Sequence, residues 1–231
     1  MDELLYIFVT IFSLTLVLLA TKLGPQFLIG VVVTLLLTAN IFSGRLTVVF
    51  GFINTLALPI YAAIFLATDS AAEHFGKKVA YQVVFMGILA QICMVILSQT
   101  IIRTGYYGDP VIAESLSTVF GFLPRIVLGS LIAYTFSQYF DVTVFHFFKE
   151  RYRGKHLWLR NCLSTTISQG LDSAIFLLIA FYGVLPKLGE LFISVWIFKI
   201  VIALVDTPFI YLSYWVLGKK LPSGQPINSE Q

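Results

Sequence analysis

Apolar stretches follow one another along the whole chain, separated by short segments that carry the glycines, prolines and charges. Reading for runs without charge predicts seven membrane-spanning helices, roughly 4–20, 26–43, 46–67, 79–102, 119–147, 162–184 and 190–217. An α-helix needs about 20 such residues to cross a hydrocarbon core of about 30 Å. The first run has an acidic flank, Asp2 and Glu3, and no small-residue cleavage site after it, so it reads as a retained helix and not a signal peptide. The fifth is long and carries Pro124 and Arg125 near its start, which predicts a tilted or kinked helix with an interfacial lead-in. Pro59 and Pro208 fall inside the third and seventh runs, where each frees a backbone carbonyl that a neighbour must satisfy.

Composition agrees with the pattern. Of 231 residues, 58% are hydrophobic and 12% charged, against about 25% charged in soluble domains. The fold class is therefore all-α: a polytopic integral membrane protein with six to seven transmembrane helices in one bundle and no room for a separate soluble domain. The expected organisation is an extra N-terminal transmembrane helix at 1–25, a six-helix core at 26–220 and a short cytoplasmic tail at 221–231.

Charge placement sets an orientation. Arg45, Arg103 and Lys187 fall on the side of the N-terminus, whereas Lys22, Lys77, Lys78, Lys149, Arg151, Arg153, Lys155, Arg160, Lys219 and Lys220 fall on the other. By the positive-inside rule the second side, with the C-terminus, is cytoplasmic. The expected location is the cell (inner) membrane, multi-pass.

Several chemistries find no support. Cys93 and Cys162 lie in apolar stretches and give neither a disulfide framework nor metal spacing. His74, His146 and His156 are scattered, so no metal site is expected. No H-E-x-x-H, G-x-S-x-G or P-loop occurs, so neither an enzyme with catalytic residues nor an ATP-driven pump is expected. No cofactor is expected. The basic segment 149–160 reads as a topology determinant, so the lipid bilayer is a partner and nucleic acid is not; oligomerisation is left open.

Charged side chains at mid-membrane cost about 2.5–3.5 kcal/mol each on insertion scales. Arg125, Asp141, Asp172, Lys199 and Asp206 are such residues here. Asp172 lies 12 residues past Arg160 and Asp206 lies 13 before Lys219, about 18 and 20 Å from one membrane side at 1.5 Å per residue. The two carboxylates should share a depth. Lys199 and Asp206 are seven apart, two turns along one face, a gap that a ligand or an interposed carboxylate such as Asp172 could fill. An internal echo adds amides: Ser137-Gln138-x-x-Asp141-x-x-x-Phe145 recurs as Ser168-Gln169-x-x-Asp172-x-x-x-Phe176. In each copy Gln, Asp and Phe share a helical face. Structural pairing can explain any one of these residues. The whole set is more than a bundle needs, and it points to a solute path with a site near the midplane.

The segment Thr68-Asp69-Ser70-Ala71-Ala72-Glu73-His74-Phe75-Gly76-Lys77-Lys78 resembles the T-D-x-x-x-E-x-[FY]-G-K-K signature of the queuosine precursor transporters, also called the vitamin uptake transporter family. The likeness continues through Ser137 to Asp141, Gly154 to Asn161, Ser164, Ser168, Gln169 and Asp172, and extends over roughly 27–217. Members commonly have six helices, from which residues 1–25 depart.

The resemblance implies import of 7-deazaguanine bases for tRNA modification salvage, chiefly 7-cyano-7-deazaguanine, with 7-aminomethyl-7-deazaguanine as a second candidate. The alternative is a substrate-capture membrane subunit of an ATP-driven vitamin importer. A guanine-like base offers adjacent N–H donors to a carboxylate, a carbonyl to a donor and a flat ring to aromatic faces. On this reading Gln138, Asp141, Gln169, Asp172, Lys199 and Asp206 form the substrate site. Asp172 or Asp206 holds the N–H edge, and Lys199 neutralises the carboxylates when the site is empty. Asp69, Glu73, Arg125, Arg160 and Asn161 are assigned to a gate or to structure. Asp69 and Glu73 are placed at the start of the loop after the third helix, facing Lys77 and Lys78.

Overall fold

The computed structural model describes residues 2–151, 157–185 and 187–218; the side chains of 72, 77, 138, 139, 141–151, 157–165, 203–207 and 210 lie outside that description. Seven helices are described: α1 (Asp2–Leu23), α2 (Pro25–Phe42), α3 (Ala57–Phe75), α4 (Lys77–Ile101), α5 (Pro110–Arg151), α6 (Leu157–Phe181) and α7 (Leu188–Val216). Among the described residues, the stretches 2–23, 25–42, 78–101 and 110–137 are long and apolar enough to cross a membrane, and Thr166–Phe181 is a shorter apolar helix. The chain is a helical membrane bundle.

One predicted span is corrected. Residues 46–67 do not form a single helix, because an antiparallel hairpin of β1 (Leu46–Val49) and β2 (Phe52–Thr55) precedes α3. The segment is rich in β-branched and aromatic residues, which suit a strand better than a helix. Its two-residue turn puts Phe50 at φ 51° and Gly51 at φ 81°, the doubly positive arrangement that matches strand twist. Pro59 thereby falls in the first turn of α3, where its missing N–H has no intrahelical acceptor in any case. The hairpin leans on the bundle through buried Val49 and through Phe52, whose ring meets Phe198 edge-on at 6.1 Å.

Packing follows a closed ring. The sequence of neighbours is α1, α2, α4, α5, α6, α7 and back to α1, and α3 runs inside, against α1, α2, α4 and α7. Ala57, Ala62, Ala63, Ala67 and Ala71 of α3 are buried, and small residues of this kind let helix backbones approach closely where lipid gives no hydrophobic drive. The outward faces carry Phe8, Phe12, Phe27, Phe85 and other large apolar side chains, as a surface solvated by lipid requires. Because α3 leans toward α1, α2, α4 and α7, a space remains between it and the α5–α6 pair.

The prolines and charges inside this ring are mostly answered locally. Pro124 lies within α5 and so leaves the carbonyl of Phe120 without its i+4 donor; Gln99 Nε2 of α4 donates to that oxygen at 2.7 Å. Arg125 donates from Nε to Ile179 O and from a terminal guanidinium nitrogen to Tyr182 O, both at 2.6 Å. These carbonyls belong to the last turn of α6 and the turn after it, where backbone acceptors have no helical partner and a cation complements the helix dipole. Arg125 thus caps α6.

Candidate functional site

The space between α3 and the α5–α6 pair is a cavity of about 370 Å³, bordered by residues of all the helices except α1 and by the hairpin residues Leu46 and Thr55. Sites for small molecules run from about 300 to 1,000 Å³, so the volume suits one compact ligand. Its wall is mostly apolar, with aromatic faces from Phe65, Phe176 and Phe181 and polar groups at a few points.

The most costly of those polar groups is an ion pair. Lys199 Nζ of α7 lies 2.5 Å from Asp172 Oδ2 of α6, with the two side chains 14% and 20% exposed. Ser137 Oγ of α5 lies 3.4 Å from Asp172 Oδ1, sharing its one proton with Tyr134 O at 3.1 Å. Ser137 and Asp172 come from the two different copies of the internal echo, so the repeated motifs do meet across α5 and α6. Both ion-pair partners border the cavity. The approach of α7 to α6 depends on Gly170: a Cβ there would lie 3.1 Å from Trp196 Cε2 and Nε1. Trp196 Nε1 in turn donates to Thr166 O at 2.9 Å.

A second, uncharged chain of polar groups also reaches the cavity. Gln91 Nε2 of α4 donates to Gly87 O at 3.5 Å, and Asn40 Nδ2 of α2 donates to Gln91 Oε1 at 2.9 Å. Tyr61 OH of α3 donates to Asn40 Oδ1. Asn40 is fully buried, whereas Tyr61 and Gln91 reach the cavity. Gly87 makes the contact between helices fit, since a Cβ there would be 3.2 Å from Leu36 Cδ2. Leu36 and Gly87 stand one turn before Asn40 and Gln91 on their helices.

The remaining sequence-selected residues divide clearly. Asp69 borders the cavity. It forms no hydrogen bond or ion pair among the described residues. Glu73 does not: it is exposed and accepts a hydrogen bond from Tyr214 OH of α7. The neighbouring His74 Nε2 is 2.6 Å from Ser213 Oγ, with its ring edge-on to Tyr214 at 4.8 Å. Asp69 and Glu73 lie in the last two turns of α3 and not in the following loop, and among the described residues neither pairs with Lys78. Gln169 does not border the cavity, and its Oε1 is buried with no donor among the described residues. The side chains of Gln138, Asp141, Arg160, Asn161 and Asp206 lie outside the described residues. Sequence reasoning missed Asn40, Tyr61 and Gln91. The available signal was an amide deep inside each of two apolar helices, Asn40 in α2 and Gln91 in α4.

Comparisons with known proteins agree with this architecture. The family described as "Putative vitamin uptake transporter" matches residues 55–213. The chain is 34% identical over 176 residues to a "Probable queuosine precursor transporter" of Bacillus subtilis, covering 75% of this chain and 77% of that protein. It is 28% identical over 134 residues to the "Queuosine precursor transporter" of Escherichia coli, covering 58% of each, and 31% identical over 134 residues to a "Probable queuosine precursor transporter" of Haemophilus influenzae, covering 58% of this chain and 54% of that protein. No solved structure matches. Each of these relatives is named as a transporter, which agrees with a carrier and not an enzyme. The matched region contains the cavity-facing parts of α3, α4, α5, α6 and α7, and the chain belongs to the vitamin uptake transporter family.

Proposed function

We propose that this protein carries a queuosine precursor across the cell membrane, with 7-cyano-7-deazaguanine as the principal substrate and its 7-aminomethyl relative as the second. The observation that carries the reading is the Asp172–Lys199 pair on the wall of a cavity of about 370 Å³. A guanine-like edge presents two N–H donors beside a carbonyl acceptor. A carboxylate beside an ammonium presents the complement, two acceptor oxygens next to a donor. Before substrate arrives, the two charges hold each other, which keeps either from being left bare in a low-dielectric site. Phe176 and Phe65 offer faces for the flat ring.

In this reading Asp206, Asp141, Gln138 and Gln169 supplement the pair, and Asp69 lies along the path between the ion pair and the membrane side of the α3–α4 turn. That side is cytoplasmic by the ten-to-three distribution of loop cations. Purified protein reconstituted alone in liposomes tests the proposal with labelled 7-cyano-7-deazaguanine. Saturable uptake, abolished by Asp172→Asn, is the expected outcome. Tight binding without uptake would instead assign the chain to a capture subunit of a larger importer, and no binding would overturn the substrate.

A further inference from the structure

The chain of uncharged groups that reaches the cavity through Tyr61 and Gln91 has a set polarity. A backbone carbonyl can only accept, so Gly87 O, 3.5 Å from Gln91 Nε2, favours the direction in which Gln91 turns its nitrogen toward it and its oxygen toward Asn40. Asn40, fully buried between its two partners, must then turn its nitrogen to Gln91 and its oxygen to Tyr61. Tyr61 must spend its only proton on Asn40. What is left for the cavity is therefore determined: a lone pair on the Tyr61 oxygen and the second N–H of Gln91. Both residues border the cavity and are joined through Asn40.

The geometry points to Tyr61 and Gln91 as a specificity device that reads a neighbouring N–H donor and ring-nitrogen acceptor on the ligand. This rests on the carrier reading above, and deepens it. In a 7-deazapurine base the edge of that description is N9–H beside N3. It is a different edge from the N–H and carbonyl edge assigned to Asp172 and Lys199, so one flat molecule can engage both sets of groups. The N9–H exists only in the free base, because a nucleoside carries its sugar on that nitrogen. Tyr61, whose proton is committed elsewhere, can accept from N9–H but offers nothing to an N-alkylated nitrogen. Asn40 never touches the ligand; it is a positioning residue that fixes the polarity of the other two.

The test compares binding of 7-cyano-7-deazaguanine and its 9-methyl derivative to purified protein. The wild type is expected to prefer the free base by about tenfold or more, the usual worth of one hydrogen bond in a dry site. Tyr61→Phe should lose affinity for the free base and leave that for the 9-methyl derivative nearly unchanged, so the preference collapses; retained binding of the derivative shows that the variant is folded. Gln91→Leu should weaken both ligands. A wild type that binds the two ligands equally would overturn the inference while leaving the carrier reading intact, and needs no variant. So would a Tyr61→Phe protein that weakens both by the same factor. A wild type that binds neither ligand overturns the carrier reading and the inference together.

Discussion

Replacing Lys199 with Met keeps the side-chain length and removes the charge. Among the described residues, Asp172 then keeps only Ser137 Oγ at 3.4 Å in place of an ammonium at 2.5 Å. Removing one partner of a buried pair typically costs about 3–5 kcal/mol, because the other charge stays buried and uncompensated. The two side chains keep 14% and 20% exposure, which places this case at the lower end, about 3 kcal/mol, or roughly a hundredfold in the folding equilibrium. A second substitution, Asp172→Asn, removes the stranded charge and should recover most of that loss. The assay is reversible unfolding in mixed micelles for the wild type, both single variants and the double variant. Uptake should be absent in the double variant even though its stability returns, which separates the structural work of the pair from its role in binding. A Lys199→Met protein as stable as the wild type, or a double variant no more stable than Lys199→Met alone, would refute the reasoning.

Three further outcomes follow from particular contacts. Gln99→Leu should cost about 1–3 kcal/mol, because Phe120 O loses the donor that replaces the N–H missing at Pro124; the same substitution combined with Pro124→Ala should cost less. Arg125→Met should strip the carbonyls of Ile179 and Tyr182 of charged donors, each worth about 1.5–3 kcal/mol. Amide exchange should then accelerate in the last turn of α6 before it does elsewhere. Phe50→Gly should stabilise the hairpin turn in thermal melts, since a non-glycine residue in the left-handed region costs about 1–2 kcal/mol, offset by the chain entropy that glycine adds.

The helices were legible because apolar runs of membrane-spanning length have few other solutions, and the charges within them were legible because burying one is expensive. The same cost marks Asp172 and Lys199 in the sequence alone, and the structure joins them at 2.5 Å. The hairpin escaped it. Leu46 to Thr55 is as apolar as a helix start, and its turn carries Phe50-Gly51 instead of the usual Asn-Gly signal, so hydropathy alone could not separate strand from span. With that start misplaced, Asp69 and Glu73 were assigned to a loop when they lie within α3. Asn40 and Gln91 escaped for a different reason: their pairing joins positions 51 residues apart, and a neutral amide within an apolar helix carries no periodicity that names its partner. Tyr61 looked like one more aromatic among the 11 tyrosines.

The central claim is that this chain by itself moves a 7-deazaguanine base through a site built on Asp172 and Lys199. The most direct measurement uses cells unable to synthesise such bases but able to insert and convert them. They are supplied with nanomolar 7-cyano-7-deazaguanine, and modified tRNA is quantified. Cells expressing the wild type should recover the modification, and cells expressing Asp172→Asn at equal membrane abundance should not. Recovery by both proteins alike would contradict the assigned site, and failure of the wild type would contradict transport by this chain alone.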